Sequence, residues 1–93
     1  MILIADSGSS KTDWRLINGK EISQFSCIGL NPDFVDEAKV TSELAKTFEA
    51  VKKKEVGTIY FYGSGCSSES RNQVIQNGMK RVFPNSTNHI YHD

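Results

Sequence analysis

The stretch Ala5-Asp6-Ser7-Gly8-Ser9-Ser10-Lys11-Thr12-Asp13 gathers acids, hydroxyls and one ammonium around a single glycine. Those residue types at that density suit phosphate and cation chemistry. A tight turn can aim several backbone N–H groups and hydroxyls into one concavity that fits phosphate oxygens. Asp6, at the rim, suits a magnesium ion held directly or through water, because magnesium prefers hard oxygen ligands. Taken alone, the same tip is equally a polar hairpin that water solvates, since short Gly/Ser turns are common.

Two other phosphate motifs are excluded by spacing. A phosphate loop needs glycine immediately before Lys-Ser/Thr and a helix after it, whereas Ser10 precedes Lys11 and the strand-like Asp13-Trp14-Arg15-Leu16 follows Thr12. A dinucleotide fingerprint needs a third glycine and a helix opening from the turn, and neither is present here. Gly63-Ser64-Gly65, after a second apolar run, imitates that fingerprint, but Ser68 stands at the third glycine position.

The elements that must position the first stretch follow from its flanks. Ile2-Leu3-Ile4 reads as a buried strand, and Trp14-Arg15-Leu16-Ile17 resumes the apolar pattern, so the turn joins two antiparallel strands. Asn18-Gly19 is a second hairpin signal, and Lys20–Cys27 supplies a third strand. Gly29 and Pro32 punctuate an irregular stretch. From about 36 to 54, Ala38, Leu44, Ala45, Phe48 and Val51 predict one apolar helix face, with Glu37, Lys39, Glu43, Lys46, Glu49 and Lys52 opposite it. Lys52-Lys53-Lys54 then reads as the solvated end of that helix, where cations suit the dipole.

Thr58–Tyr62 is β-branched and aromatic, hence a strand, and the long crossover before it predicts parallel pairing. Ser67 or Ser68 is the expected N-cap of a helix over 69–82 that turns Val74, Ile75, Met79 and Val82 inward. Asn88–Tyr91 is a short last strand. With right-handed crossovers, the ends of strands one, four and five share one sheet edge, where ligands of open α/β sheets bind. Asp6–Thr12, Gly63–Ser67 and Asp93 are thereby expected to converge.

Composition narrows the function classes. Ninety-three residues make one small domain, and eleven basic against eleven acidic residues give no net charge. That balance argues against a nucleic-acid or anionic-membrane surface, so neither partner is expected. No apolar stretch approaches the ~20 residues of a membrane span, and no signal-peptide pattern opens the chain, so cytoplasm is the expected location. Cys27 and Cys66 have neither metal-site nor disulfide-framework spacing, and Cys66 reads as a structural thiol. His89 and His92 read as surface or rim residues. A strand ending at Asp93 reads as a cut within a larger domain.

Asp6-x-Gly8-x-x-Lys11-Thr12, followed by a meander and two α–β units, resembles the first half-domain of the actin/hexokinase/heat-shock-protein ATPase superfamily. Within it, Asp6–Trp14, Gly29-Leu30-Asn31-Pro32 and Tyr60–Cys66 resemble the BadF/BadG-type ATPases and N-acetylglucosamine kinases. The resemblance implies an α/β, ribonuclease-H-like fold with a mixed five-stranded sheet in order 3-2-1-4-5. It also implies that residues 1–93 are the N-terminal part of an actin-like ATPase or sugar-kinase domain whose second lobe is absent, so that the chain alone is inactive.

By position, the resemblance gives Asp6 the orientation of magnesium through water, and Gly8, Ser9, Ser10, Lys11 and Thr12 the β/γ-phosphates of ATP. It gives Asp93 the substrate hydroxyl's proton, or the metal. Phosphoryl transfer asks for little more than positioning, charge neutralisation and a weak base, which a carboxylate supplies. Asn31 corresponds to a sugar-binding asparagine, and Gly63, Ser64 and Gly65 to a loop beside the sugar. The implied function is an ATP- and magnesium-dependent kinase of N-acetylglucosamine or a related amino sugar. The alternative is an ATPase that drives a conformational change in a partner. Its relatives carry iron–sulfur cysteines, which the spacing of Cys27 and Cys66 does not match. An exposed sheet edge left by the missing lobe is expected to favour self-association.

Overall fold

The computed structural model describes residues 1–92, so the expectation placed on Asp93 lies outside the described residues. Five strands and two helices follow in the order β1 (Ile2–Ser7), β2 (Lys11–Asn18), β3 (Glu21–Ile28), α1 (Glu37–Thr47), β4 (Thr58–Gly63), α2 (Glu69–Val82) and β5 (Thr87–His92). A short 3₁₀ turn, Lys53–Glu55, lies between α1 and β4. The sheet order is β3-β2-β1-β4-β5, as the sequence implies, with antiparallel pairing on the β3 side of β1 and parallel pairing on the β5 side.

Strict alternation makes β1 and β2 one-sided. Leu3, Ala5 and Ser7 of β1 and Thr12, Trp14 and Leu16 of β2 are buried, while their sequence neighbours face outward. Gly19, at φ 62°, closes the β2–β3 turn in a conformation that costs glycine nothing. Both crossovers step in the same direction across the sheet, from β3 to β4 through α1 and from β4 to β5 through α2. Right-handedness therefore puts α1 and α2 on the same side of the sheet. The core lies between them and contains Val40, Leu44, Phe48, Ile75 and Met79 against Leu3, Trp14, Ile59 and Phe61.

The opposite sheet face carries no helix among the described residues. Ile2, Ile4 and Ile22 are exposed there, and Tyr60 stacks on His89 and Tyr62 on Tyr91, at centroid separations of 5.0 and 5.1 Å.

The first helix is shorter than periodicity predicts. Asp36 caps it by accepting from the Lys39 N–H at 2.8 Å, but Phe48, at φ −108° and ψ 27°, already leaves the helical region. Its ring turns into the core, 5.2 Å from Trp14, 5.0 Å from Phe25 and 5.6 Å from Phe83. Burial of that aromatic cluster outweighs another helical turn through the polar Lys52-Lys53-Lys54. The buried face also differs from expectation: it is Val40, Leu44 and Phe48, whereas Ala38 and Ala45 are exposed. Glu43 is buried, and Lys39 and Lys46 reach it at 3.8 and 3.6 Å. The second helix matches its expected bounds and is capped by Ser68, whose Oγ accepts from the Arg71 N–H at 3.3 Å. Gly78 of α2 lies so close to Val40 of α1 that a Cβ would overlap the valine side chain.

Candidate functional site

The β1–β2 hairpin ends on Gly8-Ser9-Ser10, and the Gly8 N–H donates to the Lys11 carbonyl at 2.8 Å to close it. Ser9, Ser10 and Lys11 are exposed at its tip. Asp6 and Asp13 are directly paired across the two strands, both exposed on the helix-free side, with the Lys11 ammonium 3.3 Å from Asp13. Two adjacent carboxylates beside a hydroxylated turn are the hard-oxygen surroundings that a hydrated magnesium ion takes. Asp13 has no role in the sequence-based reading. Its signal was the antiparallel register, which brings it beside Asp6.

Behind the tip runs a buried relay. The Leu30 N–H donates to Ser7 Oγ at 3.0 Å, Ser7 Oγ and Thr12 Oγ1 share a hydrogen bond of 2.8 Å, and Thr12 Oγ1 donates to the Ile28 carbonyl at 2.8 Å. Because Thr12 spends its proton on Ile28, Ser7 must be the donor in the middle bond. Each hydroxyl thus donates once and accepts once, and both residues are fully buried. The Thr12 side chain therefore does not take part in the exposed tip. Its hydroxyl is turned into the core and locks the hairpin from behind, leaving only its backbone for the tip.

Gly29 completes the brace, since a Cβ there would meet the backbone of Ser9 and Gly8 at 2.5–2.6 Å. Ser7 and Gly29 escape a search for exposed chemistry because their work is inside.

The β3–α1 and β4–α2 loops meet beside this hairpin. Asn31 is buried; its Oδ1 accepts from the Asp33 N–H at 2.8 Å, and its carbonyl accepts from the N–H groups of Phe34 and Val35 at 2.9 and 3.0 Å. Gly65, at φ +80°, presses its backbone against the Asn31 amide, where any Cβ would overlap it. The Ser64 N–H donates to the Ser7 carbonyl at 2.9 Å, which ties this loop to the end of β1. Gly63 is buried between the Phe61 ring and Cys66, so its contribution is close packing of the turn.

Arg71, on the first turn of α2, joins the two loops. Its Nε lies 2.8 Å from Asp33 Oδ1, and its guanidinium donates to Ser67 Oγ at 3.2 Å. The structure therefore brings Asp6, Gly8–Lys11, Asn31, Ser64 and Gly65 to one end of the sheet, as the motifs imply.

Neither cysteine is poised as a nucleophile. Burial, with the Asp33 carboxylate adding to it, pushes the Cys66 thiol up to about 11. Burial also raises the Cys27 thiol, against the opposing hydrogen bond from the Trp14 indole N–H at 3.4 Å. Beside Cys66, a cavity of about 500 Å³ opens between the first half of α2 and β5, bordered by Gln73, Gln76, Asn88, Ile90 and His92.

No protein-family model matches the sequence, and no curated protein matches it significantly. Among solved structures, the crystal structure of a "putative N-acetylglucosamine kinase" from Porphyromonas gingivalis superposes with a TM-score of 0.80 at 28% identity. The match covers 99% of this chain and 34% of that chain, so this sequence spans about a third of the length of the protein it matches. The α/β fold matches that of this kinase-like structure over nearly the whole chain, as the resemblance to an N-acetylglucosamine kinase-like first half-domain implies.

Proposed function

We propose that this chain is the phosphate- and sugar-binding part of an ATP-dependent kinase that acts on N-acetylglucosamine or a related amino sugar. The observation that carries the reading is the convergence at one sheet end of the braced Asp6–Lys11 hairpin and the Asn31–Gly65 contact. Similarity to a kinase-like structure supports the same reading.

In this reading the Gly8–Lys11 tip holds the terminal phosphates of ATP through backbone N–H groups and the Lys11 ammonium. Asp6 holds the hydrated magnesium, and bound magnesium supplies charge neutralisation at the phosphates. The Asn31 amide meets sugar hydroxyls, and Gly65, by lacking a side chain, lets that amide pack against its backbone beside the sugar. Asp93 takes the proton of the attacking hydroxyl. Rigid placement is the main service such residues can render, because transfer of a phosphoryl group depends chiefly on orientation and electrostatics.

The test is an NMR titration of the 93-residue chain with magnesium-ATP and, separately, with N-acetylglucosamine, beside an ATP-consumption assay. The expected result is that ATP shifts the Gly8–Lys11 amides, the sugar shifts the Asn31 and Gly65 signals, and neither ligand is turned over by the chain alone. ATP hydrolysis indifferent to every sugar would replace this reading with that of a partner-driving ATPase. Silence at the hairpin amides would remove the nucleotide site.

A further inference from the structure

Strand β5 is the sheet edge on the parallel side, and among the described residues nothing pairs with its outer side. The Thr87 N–H donates inward to the Gly57 carbonyl at 2.9 Å. With backbone groups alternating along a strand, Thr87, His89 and Tyr91 bond to β4, while the N–H and C=O groups of Asn88, Ile90 and His92 point outward. These are three of the residues that border the cavity under α2. The outward edge thus opens onto a shelf with room beside it.

Natural sheets blunt such edges with charges, prolines or bulges. Thr87-Asn88-His89-Ile90-Tyr91-His92 has no lysine, arginine, acid or proline, and it keeps unbroken register with β4. The overhanging α2 side chains are carboxamides, Asn72, Gln73 and Gln76, with Glu69 the one acid at the border.

We propose that β5 is a homodimerisation edge, on which a second copy of this chain adds its own β5 antiparallel across a two-fold axis. The register that satisfies all six outward groups of each strand sets Ile90 against Ile90 of the second copy and Asn88 against His92 of the second copy. On the helix-free face, His89 then lies opposite Tyr91 of the second copy. The observed Tyr60–His89 and Tyr62–Tyr91 stacks continue across the axis as two rows of four rings. On the other face, Ile90 meets Ile90 of the second copy, and Asn88 meets His92 of the second copy. A backbone register and ring rows that are self-complementary, on a chain with no net charge, favour a second copy over an unrelated partner. This inference is independent of the kinase reading.

Sedimentation equilibrium on the intact 93-residue chain measures the dimer, and amide hydrogen exchange locates it. The expected result is a reversible dimer in which the Ile90 and His92 N–H groups are protected, losing that protection on dilution. Tyr91→Lys places a cation beside His89 of the second copy and is expected to weaken association about tenfold, with exchange at Leu3 and Ile59 serving as the control for folding.

A second test fixes the register without relying on that variant. His89→Cys with Tyr91→Cys forms a non-hydrogen-bonded cross-strand pair, whose Cα spacing of about 4.5 Å accepts a disulfide. Oxidation is expected to give a covalent dimer, and His89→Cys with Thr87→Cys is expected to give none. A chain that stays monomeric to its solubility limit overturns the proposal. So does a dimer that ignores Tyr91→Lys and leaves Ile90 unprotected.

Discussion

Arg71 of α2 and Asp33 of the β3–α1 loop form an ion pair, Nε to Oδ1 at 2.8 Å, that fastens the turn holding Asn31 to the first turn of α2. Both partners are partly exposed, so the pair itself is worth at most about 1 kcal/mol of stability. Its importance is positional, because Asn31 is oriented by the Asp33 N–H and is pressed by Gly65 from the loop that Arg71 also bonds. Arg71→Gln is therefore expected to leave the melting temperature nearly unchanged while weakening N-acetylglucosamine binding by about fivefold, a loss of about 1 kcal/mol. Added salt is expected to reproduce part of that loss in the unaltered chain, by screening the pair. Binding isotherms at low and high salt, with melting curves beside them, check both statements.

Thr12→Val tests the buried relay. Valine keeps the shape but removes the hydroxyl, leaving the buried Ser7 donor without its acceptor and the Ile28 carbonyl with only the Cys27 thiol at 3.4 Å. A buried polar group left unsatisfied costs about 1–3 kcal/mol, so urea denaturation is expected to show a loss in that range. Thr12→Ser keeps the relay and is expected to lose less. Because the hydroxyl faces inward, ATP affinity is expected to change only as far as the hairpin loosens.

Gly65→Ala separates the two ligand regions. A non-glycine residue at φ +80° is strained by roughly 1–2 kcal/mol, and the added Cβ overlaps the Asn31 amide. Sugar-dependent NMR shifts at Asn31 are expected to disappear. Shifts of the Gly8–Lys11 amides on adding magnesium-ATP are expected to persist, since that hairpin is braced by Ser7 and Gly29 instead.

Cys66 gives a pH dependence with a definite sign. Its thiol is raised from 9.0 to about 11, so the folded chain holds this proton more tightly than the unfolded one. The resulting stabilisation is complete below pH 9 and is lost as pH climbs from about 9 to about 11. Cys66→Ala is expected to flatten that part of the stability profile. Alkylation of Cys66 by iodoacetamide at pH 8 is expected to be far slower in the folded chain than in urea, read by mass spectrometry of the peptide.

Much of this architecture was legible from local signals because local physics decides it. The apolar run Ile2-Leu3-Ile4, the Asn18-Gly19 turn and the Ser68 cap each specify their element without distant contacts, although the run reads as buried throughout and the structure buries Leu3 while Ile2 and Ile4 face the helix-free side. The length of α1 was not legible, because Phe48 leaves the helix to join Trp14 of β2, Phe25 of β3 and Phe83 just past the end of α2. Val40 was missed as a core residue for a related reason: its burial depends on Gly78, thirty-eight positions later, admitting it.

At the site, the exposed tip Asp6–Lys11 announced itself through composition. The inward turn of the Thr12 hydroxyl was not legible, because a hydroxyl in a phosphate-like motif looks the same whether it faces ligand or core. Arg71 and Asp33 were invisible as a pair, since an exposed charge reveals its partner only once the loops are folded together.

Trp14 is the one tryptophan in the chain, wholly buried, and its indole N–H points at the Cys27 sulfur 3.4 Å away. The three tyrosines all lie on the opposite, helix-free side of the sheet. The molecule is consequently two-coloured to an optical instrument. Tryptophan emission, from an indole in contact with a thiol, monitors the packed side two residues from Thr12, and tyrosine absorption monitors the bare side. Events on the two faces of one small sheet can be followed separately, in the same cuvette, without attaching a dye.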